Sequence, residues 1–213
     1  MTHPFPDFPA LQKKHLDGAK FCANRNDVIT DIAIPKGGVI AEIGVMKGDF
    51  SVHLVESLKP KTFFAFDWFQ EHTAATIWGV PSSIAFEGQT HYEYYRRKMA
   101  IYGDCVVMVE GANRDTLPLH ANGTFDFVYV DANHEYEEVK FDAEAATRMI
   151  KPDGIIMFND YILYDHIAQT YYGVVPVVND MVVNQGWHVL GFCLNRNMFC
   201  DIVIQRKQYV ARR

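Results

Sequence analysis

Short, continuous apolar runs alternate along this chain with longer stretches whose apolar residues recur at helical spacing. Residues 125–131 and 155–160 are two such runs; between them, 136–150 carry apolar residues at helical intervals, and Lys-Pro-Asp-Gly at 151–154 ends the helix. Continuous apolar strands are typical of a parallel sheet that has helices on both faces. The pattern therefore predicts a strand, a helix and a second strand that form one βαβ unit.

The same alternation predicts further elements outside this unit, namely strands at 39–44, 62–67 and 105–110 and a final helix at 174–184. Residues 187–194 and 198–205 are two more apolar runs, and the Asn-Arg-Asn that joins them predicts an antiparallel hairpin. Together these elements indicate an α/β fold whose sheet is mostly parallel and ends in a C-terminal antiparallel hairpin.

The chain divides into a short N-terminal segment and one larger domain. Residues 1–38 are predicted to form a helical cap, with one or two helices within 11–34, and residues 39–213 to form the α/β domain. That domain contains an insertion at about 68–101, and insertions of this length are usually lids or binding loops. We expect a lid with an aromatic inner surface, although aromatic residues on a loop can equally be packing anchors. The residues concerned are Trp68, Phe69, His72, Trp78, Phe86 and His91.

Composition and charge narrow the class of partner. The 213 residues are 49% hydrophobic and 22% charged, and the net charge is −6. This balance argues against nucleic acid or an anionic membrane as the main partner. No apolar run reaches the length of a bilayer, and the N-terminal segment has no signal-like apolar stretch, so we expect a cytoplasmic protein. The four cysteines lack metal-finger spacing and are expected to be reduced thiols.

Polar residues follow both strands of the βαβ unit. Asp131 and His134 come after the first strand, and Asn159 and Asp160 end the second. In an open parallel sheet, ligands bind in the crevice outside the carboxyl ends of the strands. We therefore expect these four side chains to converge there. Each of them alone is more typical of an ordinary strand end, and it is their co-location that favours a functional site.

A glycine-rich loop follows the first strand of the larger domain. Gly44 and Gly48 bracket a tight turn before a helix. Glycine lets a ligand approach the backbone closely, and a helix N-terminus offers free N–H groups to an anion. Asp67 ends the next strand about twenty residues further on, where a carboxylate can accept both ribose hydroxyls of an adenosine cofactor. A strand-to-helix turn also needs glycine without any ligand, so the loop alone does not decide the function.

Taken in order, five motifs resemble one family: EIGVMKG, the acid Asp67, VEGANRDTLPL, FDFVYVDANHEYE and IKPDGIIMFNDY. Together they are similar to the metal-dependent O-methyltransferases of class I, the S-adenosylmethionine-dependent group that includes catechol, caffeoyl-CoA and macrolide-sugar methyltransferases. The resemblance implies a Rossmann-like, doubly wound sheet of seven strands. It also implies that S-adenosylmethionine is bound by Glu42, Gly44, Gly48, Ser51, Asp67, Gly111, Ala112, Asn113 and Asp131.

The resemblance further implies catalytic roles at the strand ends. A metal ion, expected to be Mg²⁺, would be held by Asp131, Asn159 and Asp160, and His134 would be the general base, acting beside the catalytic Asp131. The residue types suit that chemistry, because a hard cation prefers oxygen ligands and neutral histidine accepts a proton near neutral pH. His166 or Tyr136 could replace His134 as the base.

The expected function is thus S-adenosylmethionine-dependent O-methylation of a hydroxyl group on a small molecule. Two alternatives stay open: a metal-dependent hydroxylase on the same fold, and a non-catalytic module that binds S-adenosylmethionine. The absence of a two-histidine, one-carboxylate set argues against the hydroxylase. The sequence does not identify the acceptor, and a homo-oligomer is one option because the N-terminal segment could reach a neighbouring subunit.

Overall fold

A computed structural model describes residues 3–210 and centres on one mixed sheet of eight strands. The strands are β1 (Lys20–Cys22), β2 (Val39–Ile43), β3 (Thr62–Asp67), β4 (Val106–Glu110), β5 (Phe125–Val130), β6 (Ile150–Phe158), β7 (Trp187–Leu194) and β8 (Cys200–Arg206). Their order across the sheet is β1-β7-β8-β6-β5-β2-β3-β4. The order reverses between β2 and β5, where ligands bind in open α/β sheets.

Strand directions confirm the predicted sheet in outline. Strands β2 to β6 run parallel to one another, while β8 is antiparallel to both β6 and β7. The count of seven strands was wrong, because β1 adds an eighth strand, parallel to β7 and paired through Phe21 and Phe192. One or two helices were predicted within residues 11–34 of the N-terminal segment; Arg25–Asp31 is helical, and Lys20–Cys22 extends the sheet instead.

Five longer helices flank the sheet: α1 (Arg25–Asp31), α2 (Asp49–Leu58), α3 (His91–Met99), α4 (Tyr136–Met149) and α5 (Val174–Asn184). Short helices of four residues occupy Ser82–Ala85, Asn113–Thr116 and Lys207–Val210. Single 3₁₀ turns occupy Lys13–His15, Glu71–Thr73, Ala100–Cys105, Leu117–Leu119 and Arg196–Met198. Two-residue ribbons pair Thr76–Ile77 with Val80–Pro81 and Tyr164–Asp165 with Thr170–Tyr171.

The apolar core lies on both faces of the sheet. One cluster packs α4 and α5 against one face, with Met149 and Val178 among its buried residues. The other packs α1, α2 and α3 against the opposite face, with Leu54 and Tyr95 among its buried residues. This two-layer covering confirms the doubly wound arrangement and explains why the strands are continuous apolar runs.

Strand β6 begins earlier than predicted. Its ladder with β5 pairs Phe125 with Ile150 and Phe127 with Ile155, so residues 151–154 bulge out of the ladder. A Cβ atom at Gly154 would lie 2.6 Å from the Ile150 side chain, so only glycine fits this bend. The Lys-Pro-Asp-Gly stretch is therefore a bulge within a strand and not a stop before it.

The insertion after β3 has less aromatic surface than predicted. Phe69, Phe86 and His91 are fully buried, and their rings contact one another or the tyrosines of α3. These three residues anchor the insertion and cannot face a ligand. Trp68 and Trp78 are exposed over 51% and 82% of their surface, and His72 is partly buried. In the described part of the chain, no helix is long and apolar enough to cross a membrane.

Candidate active site

The glycine loop lies directly against the end of β5. Gly44 has a φ of 84°, and a Cβ atom there would lie 2.0 Å from the carbonyl oxygen of Asp131. Gly48, with a φ of 72°, is the residue before α2, and a Cβ atom there would lie 2.8 Å from the ring of Tyr95 on α3. Both predicted glycines are thus required by close backbone approach and by a positive φ.

The Asp67 side chain holds the glycine loop by accepting hydrogen bonds from backbone N–H groups of the loop. One carboxylate oxygen accepts hydrogen bonds from the N–H groups of Val45 (2.8 Å) and Met46 (3.3 Å). The other oxygen accepts one from the N–H of Phe69 at 2.8 Å. The side chain is buried, and its predicted contact with ribose hydroxyls would use the lone pairs that these three donors leave free.

Glu42 and Ser51 lie beneath the loop and not on its surface. Both side chains are buried, and Ser51 Oγ donates a hydrogen bond to Glu42 Oε2. Burial raises the pKa of Glu42 well above its usual value, which favours a protonated carboxyl group. These two residues therefore connect β2 to α2 on either side of the glycine loop. Their predicted contact with a cofactor stays a prediction.

The turn after β4 is held by α4. Gly111 has a φ of 142°, and its N–H donates to the carbonyl oxygen of Asp67 at 3.0 Å, so this turn adjoins the end of β3. Asn113, which follows Ala112, donates from Nδ2 to both carboxylate oxygens of Asp142 at 3.0 Å. Burial raises the pKa of Asp142 to about 7. The turn that contains Gly111, Ala112 and Asn113 is thus fixed by hydrogen bonds to the end of β3 and to α4.

His134 stands between two carboxylates at the carboxyl ends of β5 and β6. Its Nε2 lies 4.0 Å from Asp131 Oδ1 and 3.7 Å from Asp160 Oδ2. The ring stacks on Tyr172 with centroids 4.4 Å apart, and the N–H of Gly173 donates to the His134 carbonyl oxygen at 2.7 Å. The structure thus brings together three of the residues that the strand ends predicted. We call Asp131, His134, Asn159 and Asp160 the strand-end cluster.

Two further charges join the strand-end cluster from the two ends of the chain. Arg25, at the start of α1, donates from Nε to Asp201 Oδ2 at 2.7 Å, and its Nη1 lies 3.8 Å from Asp131 Oδ2. The guanidinium also lies over the rings of Phe50 and Tyr129. Asp201, on β8, is completely buried. The carboxyl groups of Asp131 and Asp201 therefore share one guanidinium.

The surroundings change the protonation of the cluster. Burial, together with Asp131 and Asp201, raises the pKa of Asp160 to about 8. Burial lowers the pKa of His134 to about 4, so its ring is neutral at pH 7. A neutral imidazole next to carboxyl groups has the proton-accepting form that a general base needs, although it is a weaker base than an exposed histidine.

The cluster has donor atoms of the type that a hard cation prefers. Asn159 Nδ2 donates to Asp160 Oδ1 at 3.0 Å, while the buried Asn159 Oδ1 has no hydrogen-bond partner among residues 3–210. A buried amide oxygen without a donor, beside an excess of carboxyl groups, fits Mg²⁺ in chemical type. Among residues 3–210, however, no three or more His, Cys, Asp and Glu side chains are grouped so that they could hold a metal ion. Any metal would depend on the amide and on carboxylates that Arg25 already partly neutralises.

Sequence reasoning missed Arg25 and Asp201, and it ranked two other bases beside His134. The signal for Asp201 was a lone acid inside the apolar run of β8, whereas Arg25 had none. Of the other candidate bases, His166 is exposed and stacks on Phe199, and Tyr136 packs against Phe5. His134 is the candidate that the structure places between the two carboxylates.

Solved structures show the same fold at low sequence identity. The cofactor-bound protein Rv0187 from MTB aligns with 94% of this chain and 84% of its own length, at 18% identity and a TM-score of 0.61. The O-methyltransferase TomG from Streptomyces achromogenes, solved with SAM, aligns with 85% of this chain and 78% of its own length, at 16% identity and a TM-score of 0.61. An rRNA methylase from Streptococcus thermophilus aligns with 85% of this chain and 93% of its own length, at 11% identity and a TM-score of 0.57. These likenesses establish the fold and leave the acceptor open.

Sequence comparison establishes the family. No curated protein matches the chain by sequence. A family model described as "Methyltransferase domain" matches residues 41–161, which include the glycine loop, Asp67, the turn after β4 and the strand-end cluster. Because this match covers more than half of the chain, the protein belongs to the methyltransferase domain family and is an enzyme of that class.

Proposed function

We propose that this protein transfers a methyl group from S-adenosylmethionine to a hydroxyl group of a small molecule, with His134 as general base and a divalent cation at Asp131, Asn159 and Asp160. One observation carries the proposal: the glycine loop and the strand-end cluster are contiguous, because Gly44 packs against the backbone of Asp131. A donor bound at the loop and an acceptor bound at the cluster would therefore be neighbours, as an in-line transfer requires.

The chain's own residues would prepare the acceptor. S-adenosylmethionine would supply a methyl group on a positively charged sulfur atom. His134, held by the ring of Tyr172, would take the hydroxyl proton at Nε2. Asp131 on one side, and Asp160 on the other once its carboxyl group ionises, would then stabilise the imidazolium.

The divalent cation is the second part of the proposal. When bound, it would lower the pKa of the acceptor hydroxyl and orient it. Its ligands would be the unpartnered Oδ1 of Asn159 and the carboxylates of Asp131 and Asp160. The high pKa of Asp160, which reflects burial and excess negative charge, supports a cluster that has room for another positive charge.

Charge supports a small acceptor over RNA. The net charge of −6 provides no excess of basic residues for a phosphate backbone. The acidic cluster would itself repel a polyanion. A cytoplasmic location and a homo-oligomer stay predictions from the sequence.

The test is release of S-adenosylhomocysteine from S-adenosylmethionine in the presence of a panel of phenolic, catecholic and sugar acceptors, each with Mg²⁺ and with EDTA. His134→Ala should lower the rate by about 100-fold or more, the usual contribution of a positioned base, while affinity for S-adenosylhomocysteine stays within a few-fold. His166→Ala is the matched control, because that histidine is exposed and lies outside the cluster.

Each half of the proposal has its own refutation. A His134→Ala enzyme at full rate would remove the base, and an enzyme fully active in EDTA would remove the metal. Tight binding of S-adenosylhomocysteine without turnover of any acceptor would favour the non-catalytic module. Turnover that depends on Fe²⁺ and oxidises the acceptor would favour the hydroxylase.

A further inference from the structure

The glycine loop contains a backbone conformation that its sequence does not favour. Met46, midway between Gly44 and Gly48, has a φ of 45°. A positive φ is costly for a residue with a side chain and persists only where neighbouring groups hold it. What holds Met46 therefore determines the shape of the loop.

Both sides of Met46 are held by hydrogen bonds. Its N–H donates to Asp67 Oδ2 at 3.3 Å, and its carbonyl oxygen lies 2.6 Å from Nε2 of His91. A carbonyl oxygen only accepts, so Nε2 of His91 carries the hydrogen. Asp67 thus fixes the N–H of Met46 and His91 fixes its carbonyl group.

His91 itself is tightly fixed. It is the first residue of α3, directly after Thr90, which forms a reciprocal capping box with Glu93. Its side chain is completely buried, with the rings of Phe69 and Phe86 centred 5.1 and 4.9 Å away. The second ring nitrogen, Nδ1, has no hydrogen-bond partner among the described residues and lies 3.9 Å from Asp67 Oδ1. Burying a polar side chain costs free energy unless the side chain is hydrogen-bonded. The hydrogen bond to Met46 is therefore the contact that offsets the burial of His91.

We infer that His91 is a positioning residue for the cofactor, because it holds Met46 in its left-handed conformation. A glycine at position 46 would adopt that conformation without such a contact. The inference rests on the proposed cofactor, because the loop matters only if S-adenosylmethionine binds there. It also gives the insertion at about 68–101 a function, which is to support the glycine loop from α3.

The test measures affinity for S-adenosylhomocysteine by calorimetry in four variants. His91→Gln places an amide nitrogen near the position of Nε2 and should bind within about twofold of wild type. His91→Asn cannot reach Met46 with its amide and should bind roughly tenfold more weakly, equivalent to about 1.4 kcal/mol. Met46→Gly should bind like wild type, and adding Met46→Gly to His91→Asn should restore affinity to within about twofold.

The double variant separates positioning from packing. If His91→Asn binds like wild type, or if its loss persists beside Met46→Gly, the inference is wrong. Should His91→Asn alone fail to fold, a folded double variant would support the inference, and an unfolded one would assign His91 to packing and overturn it. If wild type does not bind S-adenosylhomocysteine, the proposed cofactor is wrong. The role of His91 in holding the loop can then still be read from the melting temperatures, because adding Met46→Gly to His91→Asn should restore the melting temperature that His91→Asn lowers.

Discussion

Removing Arg25 should destabilise the protein far more than removing an arginine from a surface ion pair. Arg25 donates from Nε to Asp201 at 2.7 Å and from Nη2 at 3.3 Å, and Asp201 has no exposed side-chain surface. In an Arg25→Met variant, the amide of Asn195 is the only side-chain donor that Asp201 keeps within the part of the chain that the structure describes. A buried carboxylate would thus lose its counter-ion.

The expected cost follows from burial. Breaking a buried ion pair by removing one partner costs about 3–5 kcal/mol. One quarter of the Arg25 side chain is exposed, so we expect the lower end, about 3 kcal/mol. For a chain of this size that corresponds to a fall of roughly 6–12 °C in melting temperature. The control is Arg114→Met, because the pair of Arg114 with Glu138 is open to solvent and its loss should lower the melting temperature far less.

The assay is urea unfolding at pH 7 of Arg25→Met, Asp201→Asn and the double variant. Because Asp201→Asn removes the charge that Arg25 neutralises, the double variant should be less destabilised than the sum of the single variants, by about 2 kcal/mol. If the costs of the two single variants add up to the cost of the double variant within about 0.5 kcal/mol, the two side chains do not interact energetically and the argument fails.

Two shorter predictions concern the turns at the cofactor site. The Asp142 carboxyl has a pKa of about 7 in the folded protein against 3.8 when exposed, so the folded state binds more protons between these values and stability should fall as the pH rises from about 4 to 7. Asp142→Asn should flatten this pH dependence, and at pH 8 it should be more stable than wild type by a few kcal/mol. Urea unfolding at pH 5 and 8 measures both effects. A free energy of unfolding that changes with pH as it does in wild type would refute the prediction. Gly44→Ala should abolish binding of S-adenosylhomocysteine and lower the melting temperature, because its Cβ would meet the Asp131 carbonyl. Gly123→Ala, at a φ of 62° with open space around it, should cost only about 1–2 kcal/mol, and equal effects of the two substitutions would show that the clash does not matter.

The elements that the sequence predicted are those whose own residues decide them. Helix α5 is present at the predicted bounds because its apolar residues recur at helical spacing, and β3 is present at its predicted bounds because it is one continuous apolar run. Strand β1 escaped prediction because three residues carry no periodic pattern, and its conformation comes from pairing with β7, far along the chain. Tertiary pairing, and not local preference, decides such a strand.

The same distinction applies to the site. Asp131, Asn159 and Asp160 could be predicted, since each ends a recognisable strand. Arg25 and Asp201 are 176 positions apart, and no local pattern brings them together. Met46 lies in the predicted glycine loop, but its partner His91 belongs to an insertion whose aromatic residues were expected to face a ligand.

Arg25 connects the candidate active site to two segments that lie far apart in the chain. The backbone N–H of Arg25 donates to Asn195 Oδ1 at 2.9 Å, and Asn195 Nδ2 donates to Asp201 Oδ1 at 2.9 Å, so α1 and the β7–β8 hairpin are joined at the residue that also neutralises Asp131. Burial raises the pKa of Asp131 and the nearby Arg25 lowers it, so a chain in which Arg25 is not docked would have an Asp131 that takes up a proton more readily. Arg25 is therefore part of the site's electrostatics, and docking of α1 against the β7–β8 hairpin favours the charged form of Asp131.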